Sequence, residues 1–160
     1  MNQNRIHRLF LQFKRYIDKE DWDSLRRNLG TVPSLRSYSE ADDSLLSHAY
    51  FISPKTVRET VSCGVNPNLP FTDGTTLLMC YASRGNLKMV KFLLNNGADV
   101  NAVANCGETA FSWSCVSDRL ACAIEIQAHG GTWKSSVMTT MDLVEQFGGS
   151  AETKSWLRSL

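Results

Sequence analysis

Apolar positions along the chain recur at helical spacing in short blocks. Leu77, Leu78, Tyr81 and Ala82 fall at i, i+1, i+4 and i+5, a narrow stripe on one helix. Leu87, Val90, Leu93 and Leu94 draw a second stripe beyond Arg84-Gly85-Asn86, which supplies a stop for the first helix and an N-cap for the second. Near the N-terminus Ile6, Leu9, Phe10, Phe13 and Ile17 form one stripe. Asp21 or Asp23 then offers an N-cap for a shorter face of Trp22, Leu25 and Leu29, closed by Gly30. At the other end Val137, Met141, Val144 and Phe147 predict a helix stopped by Gly148-Gly149, and residues 151–160, with Trp156 and Leu157, predict another. The pattern amounts to about five helical pairs, with a loop over 31–39.

The blocks repeat. Gly64, Gly97 and Gly130 are spaced by 33 residues, and each follows an apolar helical pattern, as a left-handed helix-ending residue does. Gly74 and Gly107, Thr76 and Thr109, Leu78 and Phe111, and Leu87 and Leu120 keep the same spacing, and Asn66 and Asn68 echo Asp99 and Asn101. A sustained period in this range marks stacked helical units, none of which can bury its apolar face alone.

The central copy resembles an ankyrin repeat. It carries the family pattern at Gly74, Thr76, Leu78, Ala82, Gly85, Val90, Leu93, Leu94, Gly97, Ala98, Asp99, Asn101 and Ala102, and departs from it at Leu77 (usually Pro), Met79 (usually His) and Tyr81 (usually Ala). Loss of the Pro removes a preset first turn, and loss of the His removes a side-chain hydrogen bond between loops. In the copy at 38–70, Leu45, Ala49, Val57, Val61, Gly64, Asn66 and Asn68 persist and Ser53-Pro54 begins the second helix, while Ile52 takes the place of the turn Gly. The copy at 104–133 keeps Gly107, Thr109, Leu120, Ile126 and Gly130 but has Asp118 in the turn and Glu125 where the central copy has Phe92. The expected fold is all-α, an ankyrin-like helical solenoid with N- and C-terminal capping helices. It forms a single domain over 1–160, with capping helices at 1–37, repeats at 38–133 and capping helices at 134–160.

Composition sharpens this. A chain of 160 residues with 42% apolar and 21% charged residues is one folded domain's worth by a prior of roughly 100–200 residues per domain. The longest apolar runs, such as Ala121 to Ile124, fall far short of the ~20 residues of a membrane span, and Arg5, Arg8, Lys14 and Arg15 interrupt the N-terminus, so neither anchor nor secretory signal is expected. The five cysteines, 63, 80, 106, 115 and 122, are odd in number and without CxxC spacing, which fits reduced thiols and a cytoplasmic location. The net charge of +1 gives no global pull toward nucleic acid, although residues 1–36 hold eight Arg or Lys against four acids and the remainder nine against twelve.

What the resemblance implies is a binding scaffold whose loop tips and first helices form a concave surface. Carried over position by position, the variable sites are Thr72, Asp73, Thr75, Ser83, Arg84 and Val103 in the central copy. They are Ser39, Glu40, Asp42, Tyr50, Phe51 and Pro70 in the first copy, and Asn105, Cys106, Glu108, Val116 and Ser117 in the third. Tyr50 and Phe51 are candidate interface anchors; a one-residue shift of the first copy would instead bury them. Glu40, Asp42, Asp73 and Glu108, opposed only by Arg84, favour a basic protein partner. The chain is expected to be a monomer when unbound and to act either as a neutralising inhibitor, in the manner of an immunity protein masking a toxin or enzyme, or as an adaptor. The basic cluster of Arg5, Arg8, Lys14, Arg15, Arg26 and Arg27 reads as the solvated face of a capping helix, with nucleic-acid contact the alternative.

Catalysis finds little support. His7, His48 and His129 lie in separate units, and His48, aligned with Tyr81, is expected to be a packed core histidine. Cys115, Cys122 and His129 recur every seven residues, but a loop at 116–118 breaks any common helix and zinc ligands are usually spaced by two to five. Neither a metal nor a cofactor is expected, and Cys106 at a loop tip is the one conceivable thiol nucleophile.

Overall fold

A computed structural model describes residues 3–40, 43–132 and 139–160. Among them are ten α-helices, one 3-10 helix and a two-residue antiparallel ladder. The predicted Val137 lies outside the described residues. The chain packs as two compact units, residues 1–69 and 70–160.

In the first unit, α1 (Gln3–Asp18) buries Phe10, Phe13 and Ile17 at 1% exposure each, the predicted stripe, with Ile6 and Leu9 half-buried at its edge. Helix α2 (Trp22–Thr31) starts at Asp21, whose carboxylate accepts the Ser24 N–H at 3.1 Å and is held below the usual carboxylate range by hydrogen bonding to the Ser24 side chain and backbone. Gly30 does not end this helix; it lies in the last turn, and Val32 forms the cap. The predicted loop is largely a 3-10 helix, Pro33–Ser37, opened by a proline whose missing N–H costs nothing in a first turn. A short ladder follows, β1 (Ser39–Glu40) against β2 (Asp43–Ser44), pairing Ser39 with Ser44 and Glu40 with Asp43. Helices α3 (Leu45–Ile52) and α4 (Pro54–Ser62) form the first repeat pair, and α3 also packs on α1.

In the second unit, α5 (Leu77–Ser83) and α6 (Leu87–Asn95) form one pair, and α7 (Ala110–Val116) and α8 (Leu120–Ala128) the next, with α5 stacked on α7 and α6 on α8. Helices α9 (Thr140–Phe147) and α10 (Ala151–Arg158) follow; α9 covers α7, and the Phe111 and Trp156 rings meet at 5.9 Å. No helix among the described residues is long and apolar enough to cross a membrane.

The same local chemistry starts every repeat. Ser44, Thr76 and Thr109 each accept the N–H three residues on, and Ser47, Met79 and Ser112 return the bond to the cap's own N–H. In the central copy that acceptor is the Met79 sulfur, 3.4 Å from the Thr76 nitrogen, against 2.8 and 2.9 Å to oxygen at Ser47 and Ser112. Gly64, Gly97 and Gly130 have φ of +98°, +83° and +88°, the left-handed endings the period predicts.

These caps reveal an irregularity. Thr76 and Thr109 are 33 residues apart, whereas Ser44 and Thr76 are 32 apart. The first copy is one residue shorter, and the loss falls between its helices. Ser53, in extended backbone at φ −170°, both ends α3 and caps α4, so no left-handed residue is needed and Ile52 simply completes α3. Asp118 in the third copy does keep the left-handed turn, at φ +57°, a conformation that aspartate tolerates better than most residues.

Candidate functional site

The loop tips of the second and third copies are matching turns. Phe71 N–H donates to the Thr75 carbonyl at 2.8 Å and Gly74 N–H to the Phe71 carbonyl at 2.9 Å, and Ala104, Gly107 and Glu108 repeat the scheme at 2.9 and 2.8 Å. Asp73 and Asn105 then join the two tips: the Asn105 N–H donates to the Asp73 carbonyl at 2.9 Å and its side-chain amide to the Thr72 carbonyl at 3.2 Å. The approach is so close that a Cβ on Gly74 would sit 2.9 Å from the Asn105 nitrogen, which, with φ of +78°, requires glycine there.

Most predicted positions in this unit lie at the surface. Thr72, Asp73, Arg84, Val103, Asn105 and Cys106 are exposed, and Ser83, Glu108, Val116 and Ser117 are half-buried. Thr75 departs from the expectation of a solvent-facing slot: it is 4% exposed, because its carbonyl and N–H both close the turn, the N–H on the Asp73 carboxylate at 2.9 Å. That bond holds the Asp73 carboxyl below its usual range. Ser83, Glu108, Val116 and Ser117 converge with Trp113 on an open recess of about 300 Å³. Trp113 is the member that the sequence did not single out. Its indole N–H donates to the Glu108 carboxylate. A tryptophan one turn past the cap, in the slot that Cys80 holds in the central copy and likewise half-buried, was the available signal.

In the first unit Ser39 and Pro70's neighbour Leu69 differ sharply, the first exposed and the second buried, and Pro70 itself, which begins the other unit, is exposed. Glu40 contributes its backbone to the ladder, and Asp42 lies outside the described residues. The one-residue shift does occur, yet it does not bury the aromatic pair. Phe51 is 79% exposed, Tyr50 is half-buried, and their rings meet edge to face at 5.5 Å. The shift also moves His48. It takes the slot of Cys80 and Trp113 rather than that of Tyr81, so it is not a packed core histidine; its Nε2 sits 2.7 Å from Asp18 Oδ1, joining α3 to the end of α1.

The remaining chemistry is dispersed. Cys115 and Cys122 are buried while His129 is exposed against the Glu125 carbonyl at 2.9 Å, and among the described residues no group of three His, Cys, Asp or Glu is placed to hold a metal. Burial pushes the Cys115 thiol up to about 12 and raises Cys63 and Cys122, so these buried thiols are inert at neutral pH. Cys106 is exposed. Glu125, in the place of Phe92, receives Lys91 from α6 at 3.3 Å. Arg5, Arg8, Arg15, Arg26 and Arg27 are exposed, and Lys14 lies over the Phe10 ring at 5.5 Å.

No curated protein matches the chain. Residues 45–132, more than half of it, match the family model for ankyrin repeats in three copies, a span that runs from the first residue of α3 past Gly130 and so takes in all three helix pairs described above. Ankyrin repeats bind protein partners, and the chain belongs to the ankyrin repeat family.

Proposed function

We propose that the chain is a non-catalytic protein-binding module, that α1–α2 and α9–α10 serve as its caps, and that its loop tips and first helices contact the partner. The observation that carries this reading is Phe51. A phenylalanine that leaves 79% of its surface in water forgoes most of the roughly 1.5–3 kcal/mol its burial would yield, and large exposed aromatics are the anchors that interfaces favour. The two tips joined through Asn105 add a preformed surface, which lowers the ordering cost of binding.

Inhibition of a single partner, as by an immunity protein, is the preferred role; scaffolding of several proteins is the second. Co-purification from the source cell followed by identification of bound proteins separates them. One tight partner whose own activity falls on binding supports inhibition, and several moderate partners support scaffolding. A salt-dependent nucleic-acid shift abolished at Arg5, Arg8 and Arg15, or thiol-dependent turnover lost with Cys106→Ser, would replace the reading with another.

A further inference from the structure

The recess between α5 and α7 has a composition that selects a charge. Its lining pairs a carboxylate, Glu108, with an indole, Trp113; Val116 adds an apolar side chain, and Ser83 and Ser117 add small hydroxyls. The bond that fixes the carboxylate comes from the Trp113 N–H, a neutral donor, so Glu108 is positioned without being neutralised. An apolar side chain entering here would desolvate that charge and return nothing for it, and an acidic one would be repelled. A cationic side chain gains both a carboxylate partner and an aromatic ring, and of the two basic residues arginine fits better, since its planar guanidinium stacks on indole and forks to carboxylate.

We infer that this recess is a subsite for one arginine side chain of the protein partner, held by the Glu108 carboxylate and the Trp113 ring. The inference rests on the protein-binding reading and narrows it to a chemistry at one place. An arginine guanidinium carries five N–H donors, enough to fork to the carboxylate and leave others for the Ser83 and Ser117 hydroxyls that line the same recess.

The test needs no partner. The uniformly ¹⁵N-labelled full chain is titrated with N-acetyl-arginine amide, and the indole N–H signal of Trp113, assigned by its loss in Trp113→Phe, is followed. A saturable shift is expected with the arginine probe, absent with N-acetyl-citrulline amide, its neutral isostere, and at least tenfold weaker in Glu108→Gln, which can still accept the indole bond and so keeps the ring in place. Equal shifts from arginine and citrulline, or an unchanged response in Glu108→Gln, would overturn the subsite. A chain that captures a protein partner yet ignores the arginine probe loses this inference and keeps the protein-binding reading.

Discussion

Asp118 accepts hydrogen bonds from both the backbone N–H and the hydroxyl of Ser150, at 3.2 and 2.7 Å, and from the Thr153 hydroxyl at 2.5 Å. The residue that replaces a turn glycine thus ties the last repeat to the first turn of α10. These bonds stabilise the charged form, so the Asp118 carboxyl is held below its usual range. A carboxyl depressed on folding contributes stability that is present above its unfolded value and lost as pH falls through its folded value. Asp118→Asn, which tolerates the left-handed backbone but lacks the charge, should lower the melting temperature at pH 7. Its difference from wild type should shrink as pH is taken below about 4. Thermal melts across pH 2–7 check this.

Gly74 and Gly97 differ only in their neighbours. Both have positive φ, but a Cβ at Gly97 meets open space while one at Gly74 meets the Asn105 backbone. Gly97→Ala should cost about 1–2 kcal/mol, the left-handed penalty alone. Gly74→Ala should cost more, since it must also break the tip-to-tip hydrogen bonds. Urea denaturation of the two variants measures the gap.

The period of 33 and the positive-φ glycines were legible because each is a local demand, that a helix must end; Thr76 and Thr109 were legible as markers of that period, and their capping role emerged from the structure. The shortened first copy was not. Gly64, Asn66 and Asn68 hold the period while the missing residue is absorbed at Ser53, so an alignment on glycines places His48 opposite Tyr81 when the caps place it opposite Cys80. The recess at Trp113 depends on how side chains of α5 and α7, some 30 residues apart in sequence, come together, and a single-sequence pattern carries little of that.

Phe51 and Phe111 make opposite predictions. Phe111 is fully buried against Trp156, so Phe111→Ala should destabilise the fold by about 3–5 kcal/mol. Phe51→Ala should change stability by no more than about 0.5 kcal/mol, as surface substitutions do, yet weaken partner binding by about 2 kcal/mol or more. Calorimetric titration alongside denaturation separates the two effects.

The thiols should react in order of exposure. Cys106 is exposed and Cys115 is buried with its pKa raised to about 12, so a thiol reagent at pH 8 should modify Cys106 first and leave Cys115 protected until unfolding. A raised thiol pKa contributes stability that is complete below the unfolded value near 9 and declines as pH climbs toward 12. Peptide mapping after timed labelling reads the order, and Cys115→Ala should flatten that part of the alkaline decline.

Hydrogen–deuterium exchange of the full chain, free and bound to its captured partner, tests the placement of the binding surface most directly. Slowed exchange at the tips around 71–75 and 104–108, and at the ends of α3, α5 and α7, is the result expected. Protection confined to α1 and α2, or to α6 and α8, with the tips unchanged, would contradict it.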